Sequence, residues 1–180
     1  FDRDGGPYAD AQGRDWHDNP HRFACFSRAV AQLAMDPAWR PDVVHCHDWP
    51  TGLVPALLHP VPDRPATVFT IHNLAFAGLC DRNTFDHLDL PPDWWHWQQL
   101  EFHGQCAFLK GGLVFADRLT TVSPTYAQEI LTPELGHGLD GLLRERAHAL
   151  SGILNGIDTE VWNPHTDPHI AARFDANDLD

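Results

Sequence analysis

Two short apolar runs, each followed at once by polar side chains, constrain the fold of this chain more than any other feature. Residues 42–46 and 66–71 are rich in β-branched residues and have the length of strands buried inside a parallel sheet. In such a sheet, ligands bind in the crevice outside the carboxyl ends of the strands. The polar residues that follow the two runs are therefore expected to line a site: Asp48, Trp49, His72 and Asn73.

The rest of the chain alternates between strand and helix patterns in the same way. Strands are predicted over residues 42–46, 66–71, 118–122 and 150–154, and helices over 19–35, 51–58, 105–115, from 124 onward and over 139–147. Ser123 and Pro124 form an N-cap followed by a proline at the first helical position. Residues 1–17 are predicted to be loop, and residues 72–104 to hold only short helices. Strands separated by helices indicate βαβ units, so the predicted fold class is α/β with a parallel sheet.

The chain is acidic, with 12 basic and 25 acidic residues and a formal net charge of -13. An acidic protein gains little from counterion release at a phosphate backbone, which argues against nucleic acid as a partner. The same charge argues against binding to an anionic membrane surface. A neutral ligand such as a sugar is compatible with this charge.

The four cysteines are dispersed along the chain, without the CxxC spacing of a zinc site or a redox motif. They are expected to be reduced core residues of a cytoplasmic protein. The sequence has neither a secretory signal nor an apolar run of roughly 18 residues that could span a membrane. Because it begins with Phe1 rather than Met, we expect it to be a piece of a longer protein.

His45 and His47 offer an alternative interpretation as a metal pair. Residues i and i+2 of a strand point to the same face, so both imidazoles could bind one ion. A metal-dependent hydrolase built on these two residues and Asp48 is therefore an alternative. The sequence disfavours it, because an open catalytic zinc site normally needs three protein ligands and no further His, Asp or Glu cluster with suitable context follows. The competing interpretation places His45 in the core and makes His47 a cap at the end of the strand.

The residues after the two strands also have structural interpretations. Asp48 could cap the helix that follows it, and Trp49 could be a core residue instead of a platform for a sugar face. His72 and Asn73 can both donate and accept hydrogen bonds, which suits the recognition of neutral hydroxyl groups. Position alone therefore predicts a ligand crevice but does not choose its chemistry.

Five segments, taken together, resemble the bacterial glycogen synthases and the plant starch synthases, which are glucosyltransferases of the GT-B architecture. The segments are PDVVHCHDW (41–49), ATVFTIHNLAF (66–76), LEFHGQCAFLKGGLVFADRLTTVSPTYAQEI (100–130), GLDGLLRER (138–146) and LSGILNGIDTEVWNPHTD (150–167). The resemblance runs from about residue 7 to the C-terminus, and the combination is far more specific than any single motif.

The resemblance implies a parallel, Rossmann-like three-layer αβα sheet. Residues 1–180 are expected to form a single partial domain, the N-terminal acceptor-side domain of a GT-B enzyme, incomplete at both ends. The implied reaction is transfer of glucose from ADP-glucose to the non-reducing end of an α-1,4-glucan, with retention and without a metal or other cofactor. The N-terminal phosphate loop and the second Rossmann-like domain of the family lie outside this sequence, so the chain alone is expected to be inactive.

By motif, the resemblance makes His72 and Asp48 the catalytic residues, with His72 in contact with the transferred glucose. The substrate-binding residues that it implies are Tyr8, Trp49, Asn73 and Asn155. Pro50 stands where the family commonly has a histidine, so the contact made by that histidine is not expected here. A non-catalytic glucan-binding module that uses Trp49 and Tyr8 is the second alternative.

Overall fold

The computed structural model describes residues 3–177, in which strands and helices alternate as an α/β pattern requires. The strands are β1 (Val43–His47), β2 (Ala66–Ile71), β3 (Leu79–Cys80), β4 (Glu101–Phe102), β5 (Gln105–Ala107), β6 (Arg118–Thr121) and β7 (Leu150–Gly152). The α-helices are α1 (Asn19–Ala34), α2 (Leu53–Leu58), α3 (Arg82–Asp86), α4 (Phe108–Phe115), α5 (Pro124–Glu129) and α6 (Asp140–Glu145). Short 3-10 turns occur at Trp49–Thr51, Pro92–Trp94 and Ala147–Ala149.

A four-stranded parallel sheet in the order β1-β2-β6-β7 forms the centre of the fold. His47 pairs with Thr70 and Ile71 pairs with Thr121, so the carboxyl ends of β1, β2 and β6 meet at one edge. Phe69 on β2 belongs to the main apolar core, together with side chains from the helices around the sheet. The predicted α/β class with a parallel, Rossmann-like sheet is confirmed, and the two strand ends that the sequence singles out are neighbours.

Strand β1 lies at one edge of this sheet and is buried on one face. Val44 and Cys46 face the core, whereas Val43, His45 and His47 are exposed. This alternation is the period of two that a strand imposes on its side chains. The interpretation of His45 as a core residue is therefore wrong, and His45 and His47 share the open face beside the crevice.

Helix α4 is almost fully buried and carries one charged residue. Glycine lets the helix approach β2, since a Cβ added at Gly112 would lie 2.3 Å from the ring of Phe69. Lys110 is only 7% exposed, and its ammonium donates to the backbone carbonyl oxygens of Trp97 and Glu101. Burial lowers the pKa of Lys110, with the charge of Glu101 opposing it. The carbonyl dipoles offset the cost of placing an ammonium group in the core.

Helix α5 begins as predicted and supports the loop that follows β2. The Ser123 hydroxyl accepts hydrogen bonds from the amides of Thr125 and Tyr126, and Pro124 is the first helical residue. The hydroxyl oxygen of Tyr126 in turn accepts a bond from the amide of Leu74 at 3.0 Å. A capped helix thus holds the chain just beyond the second polar strand end.

A second sheet, antiparallel and in the order β3-β5-β4, lies where the sequence predicts only short helices. Its strands are two or three residues long, which is too short to show an alternating pattern. The helix predicted from residue 105 begins at Phe108, because the chain before it is strand β5. The small sheet continues directly into buried helix α4 and covers one side of the crevice region.

The cysteines follow the composition-based expectation with one exception. Cys46, Cys80 and Cys106 are buried, whereas Cys25 is exposed. Cys80 and Cys106 stand opposite each other across β3 and β5. Among the helices formed by residues 3–177, none combines the length and the apolar character needed to cross a bilayer.

Candidate active site

Asp48, directly after β1, has a strained backbone, with φ 54° and ψ -176°. This region of backbone space is populated almost only by glycine. Hydrogen bonds around the residue hold it there: its amide donates to the carbonyl oxygen of Thr70 at 3.0 Å. The hydroxyl of Thr51 donates to the carbonyl oxygen of His47 at 2.8 Å. Strain that neighbouring bonds maintain is concentrated at functional sites, so Asp48 is the first candidate here.

The side chain of Asp48 binds the end of the neighbouring strand. Its Oδ1 accepts a hydrogen bond from the backbone amide of His72 at 2.8 Å. The carboxylate therefore connects the two strand ends. It does not cap the 3-10 turn Trp49–Thr51, so the expected capping role of Asp48 is not observed. The structure brings Asp48 and His72 together as predicted, but the contact runs through the backbone of His72.

Three imidazoles stand in a row on the open face of the two strand ends. The ring centroids are 4.2 Å apart for His45 and His47 and 5.3 Å apart for His47 and His72. Nδ1 of His47 lies 3.0 Å from Nε2 of His72. Burial lowers the pKa of His47, the charges of His45 and His72 lower it further, and Asp48 opposes them. His47 is therefore neutral at pH 7.

The geometry does not support the metal-dependent hydrolase. Nε2 of His45 is 2.7 Å from the hydroxyl of Thr70 and Nδ1 of His47 is 3.0 Å from Nε2 of His72, so one nitrogen of each imidazole is already hydrogen-bonded within the protein. In the part of the chain that the structure describes, no group of three or more His, Cys, Asp or Glu side chains could hold a metal ion.

A cleft of about 760 Å³ opens beside Asp48 and contains two of the predicted substrate-binding residues. Trp49 and Tyr8 line it together with Asp48. The ring centroids of Tyr8 and Trp49 are 5.8 Å apart, and Phe23 packs edge-on against Trp49 at 4.8 Å. Tyr8 is 46% exposed, so one aromatic ring of this pair stands open to a ligand. Aromatic faces with a polar edge suit the flat apolar faces of sugars.

The cleft is also lined by a segment that the sequence did not single out. Residues 75–81 line it, and Gly78 has φ +62°. A Cβ at Gly78 would lie 2.4 Å from the ring of Trp49, so only glycine lets the loop pack there. The signal that could have identified this loop is Gly78 itself, since an isolated glycine within an apolar run, here residues 74–80, marks a close backbone approach.

Three predicted site residues do not line this cleft: His72, Asn73 and Asn155. Asn73 is exposed, and its Oδ1 accepts a bond from the amide of Ala75 at 3.0 Å, which shapes the turn after His72. Asn155 is exposed beyond the end of β7, two strands away from β2 in the sheet order. Pro50 is buried within its 3-10 turn and lines the cleft. The structure therefore gathers Tyr8, Asp48 and Trp49 at the cleft and does not bring Asn155 to them.

The chain matches one protein family over most of its length. Residues 1–145 match the family model described as the starch synthase catalytic domain. The chain is 58% identical to glycogen synthase from Cellvibrio japonicus, over 98% of this chain and 37% of that protein. It is also 58% identical to glycogen synthase from Thioalkalivibrio sulfidiphilus, over 99% of this chain and 38% of that protein.

A solved structure has the same fold. The catalytic domain of starch synthase IV from Arabidopsis thaliana, bound to ADP and acarbose, superimposes with a TM-score of 0.75 at 36% identity. The match covers 93% of this chain and 36% of that chain. The chain thus spans little more than a third of the length of the relatives that it matches.

Proposed function

Because this chain belongs to the starch synthase catalytic domain family, we propose that it is the acceptor-side part of a cytoplasmic glycogen synthase. The proposed reaction transfers glucose from ADP-glucose to the non-reducing end of an α-1,4-glucan, with retention of configuration and without a metal or other cofactor. Relatives named glycogen synthase support the reaction, and the relative bound to ADP and acarbose supports a nucleotide and a saccharide as ligands.

One observation carries the proposal: strained Asp48 binds the amide of His72 at the edge of a cleft lined by aromatic residues. This edge is formed by the carboxyl ends of parallel strands, where α/β folds bind their ligands. The fixed position of the two residues supplies the preorganisation that a glycosyl transfer requires, because its transition state has oxocarbenium character and needs oriented dipoles and carboxylates.

The proposed roles follow from what each side chain can do. His72 contacts the transferred glucose, and Asp48 fixes the backbone of His72 while its negative charge favours the developing cation. Trp49 and Tyr8 present ring faces to the acceptor glucan. Asn73 and Asn155 are proposed to offer their amides to sugar hydroxyls, Asn155 from the side of the crevice beyond β7.

A chimaera tests this proposal with the whole catalytic machinery present. In it, the 180-residue chain replaces the matching part of the Cellvibrio japonicus glycogen synthase, to which it is 58% identical. We expect the chimaera to incorporate labelled glucose from ADP-glucose into glycogen, and the His72→Ala chimaera to lose most of kcat with little change in KM for glycogen. A folded but inactive chimaera, or a His72→Ala chimaera with the unaltered rate, contradicts the proposal.

The exposed ring of Tyr8 beside Trp49 also favours the second candidate, a glucan-binding module without transferase activity. The same experiment separates the two functions. A module predicts that the chain binds maltooligosaccharides while the chimaera remains inactive in spite of its correct fold.

A further inference from the structure

The row of three imidazoles has an anchored end and an open end. At the anchored end, Nε2 of His45 is 2.7 Å from the hydroxyl of Thr70, which is itself 2.5 Å from the hydroxyl of Thr120. These bonds fix His45 to strands β2 and β6. The ring of His47 packs on His45 with 4.2 Å between centroids, and the last ring, His72, is bonded to His47. The ring of His72 is thus linked, through His47 and His45, to the threonine hydroxyls of strands β2 and β6.

His72 is held at two points. Its amide donates to Asp48, and its Nε2 lies 3.0 Å from Nδ1 of His47. Only Nδ1 of His72 is then left to meet a ligand. A neutral imidazole has one donor and one acceptor nitrogen, and the partner of one nitrogen decides the state of the other. The bond to His47 therefore sets whether His72 donates to or accepts from a sugar hydroxyl.

The surroundings of His47 favour its uncharged form, so the bond to His72 joins two neutral imidazoles. Burial, His45 and His72 all lower the pKa of His47, and Asp48 is the acidic group that opposes them. With His47 uncharged, one nitrogen of the pair donates and the other accepts across the 3.0 Å contact. A charged His47 would place a second positive charge beside His72 and repel a positive transition state.

We propose that His47 is a positioning residue, which fixes the ring and the tautomer of His72 for glucosyl transfer. The proposal rests on the proposed function of the site. It revises the interpretation of His47 as a simple strand cap, because its side chain acts on the neighbouring strand.

Nitrogen NMR of the chain itself tests the contact without any assay of activity. With imidazole rings labelled with ¹⁵N, we expect one His72 tautomer and a scalar coupling between Nδ1 of His47 and Nε2 of His72. His47→Phe keeps a flat ring against His45 but has no nitrogen, so His72 should become a mixture of tautomers. His47→Asn places an amide near the former Nδ1 and should restore one tautomer.

The control is His59→Phe, since His59 packs on Phe115 away from the row. It should leave the His72 signals unchanged. The proposal is overturned if the unaltered chain shows mixed His72 tautomers without the coupling, a result that needs no variant to fold. It is also overturned if His47→Phe leaves the tautomer of His72 as it was.

Kinetics in the chimaera test the consequence. Loss of positioning should lower kcat by roughly tenfold to a hundredfold in His47→Phe, with little change in KM for glycogen, and His47→Asn should recover most of the rate. An unchanged kcat in His47→Phe overturns the role in catalysis. If the unaltered chimaera is inactive, the proposed function fails by that result alone, while the NMR measurement still decides whether His47 orients His72.

Discussion

Asp48 combines a strained backbone with a carboxylate that binds the amide of His72. The two features have opposite effects on stability, since the strain costs about 1–3 kcal/mol and the hydrogen bond recovers part of it. The backbone strain therefore lowers the stability of the fold, while it places the Asp48 carboxylate at the amide of His72. The strain energy can be measured separately from the hydrogen bond by comparing variants that both lack the carboxylate.

Asp48→Gly and Asp48→Ala both remove the carboxylate, so the difference between them reports the backbone alone. Glycine adopts φ 54° and ψ -176° without a clash, whereas alanine retains the strain. We expect the glycine variant to be the more stable by about 1 kcal/mol, after allowing for the greater entropy of glycine in the unfolded chain. The free energy of unfolding in urea measures the difference.

The same pair of substitutions at Asp86, within helix α3, is the control. There alanine should be the more stable by about 1 kcal/mol, because glycine is a poor helix former. Equal stability of the two Asp48 variants, or the order seen at Asp86, would show that Asp48 is not strained.

At the scale of residues, the sequence predicts which groups meet but not how they meet. The carboxyl ends of parallel strands share an edge, so the proximity of Asp48 and His72 could be derived from their positions. That the carboxylate binds an amide, and that His47 bonds to His72, depends on a backbone twist and on side-chain rotamers. No local sequence pattern encodes either of these, which is why the sequence predicts His47 as a metal ligand or a strand cap but not as a partner of His72.

At the scale of elements, strands were predicted correctly where an apolar run was long enough to be recognised in the sequence. Strands β1, β2, β6 and β7 were all predicted: the bounds of β2 match the structure, and the ends of the others differ by at most two residues. Strand β7 was predicted from the longer run 150–154, of which the first three residues form the strand. Strands β3 and β4 are two residues long, which is too short for a periodic signal, and β5 was predicted as the start of the helix over 105–115. Their pairing depends instead on contacts with the loop around Gly78 and with helix α4, which only the folded chain provides.

An ion pair joins the start of β2 to the start of β6. Arg64 donates to both carboxylate oxygens of Asp117, at 2.7 and 2.8 Å, and Thr67 donates to the same carboxylate from its amide and its hydroxyl. The bonds from Arg64 are the largest cause of a lowered pKa at Asp117, with partial burial opposing them and the bonds from Thr67 adding to them. The carboxylate therefore holds together two strands that the chain connects over a long distance.

We expect this contact to make the chain less stable in acid. Since the folded pKa of Asp117 is below the unfolded value of about 3.9, its stabilisation is present above pH 4 and is lost as the pH falls below it. Asp117→Asn should lower the free energy of unfolding at pH 7 by about 1 kcal/mol, a modest value because the side chain is 39% exposed. It should also reduce the fall in stability between pH 5 and pH 2, as followed by urea unfolding.

Arg82 and Asp86 form a comparable ion pair within helix α3, with both side chains about half exposed. Asp86→Asn is therefore the matched control and should change the free energy of unfolding at pH 7 by less than about 0.5 kcal/mol. If the two asparagine variants behave alike, the bonds between Asp117 and the start of β2 contribute nothing beyond a surface ion pair.

At the scale of the whole molecule, the proposed function assigns one side of a transfer site to this chain. It spans little more than a third of the length of its relatives, and it holds a cleft lined by Tyr8, Trp49 and the loop around Gly78. On the proposed function, we therefore expect binding of the glucan to be separable from transfer of glucose. The acceptor should bind to surfaces that are present, whereas transfer also needs the groups that bind the nucleotide.

The isolated chain should accordingly bind maltotetraose weakly, without incorporating glucose from ADP-glucose into glycogen. Tyr8→Ala should reduce the affinity about two- to tenfold, because stacking on an aromatic ring contributes roughly 0.5–1.5 kcal/mol and the backbone bonds of Tyr8 do not depend on its side chain. Trp39→Ala removes another exposed aromatic ring, 57% exposed and outside the cleft, and should leave the affinity unchanged. Titration calorimetry measures both affinities.

Equal losses of affinity in the two variants would mean that the saccharide binds to exposed aromatic rings in general. Transfer of glucose by the isolated chain would mean that the whole catalytic site lies within these residues.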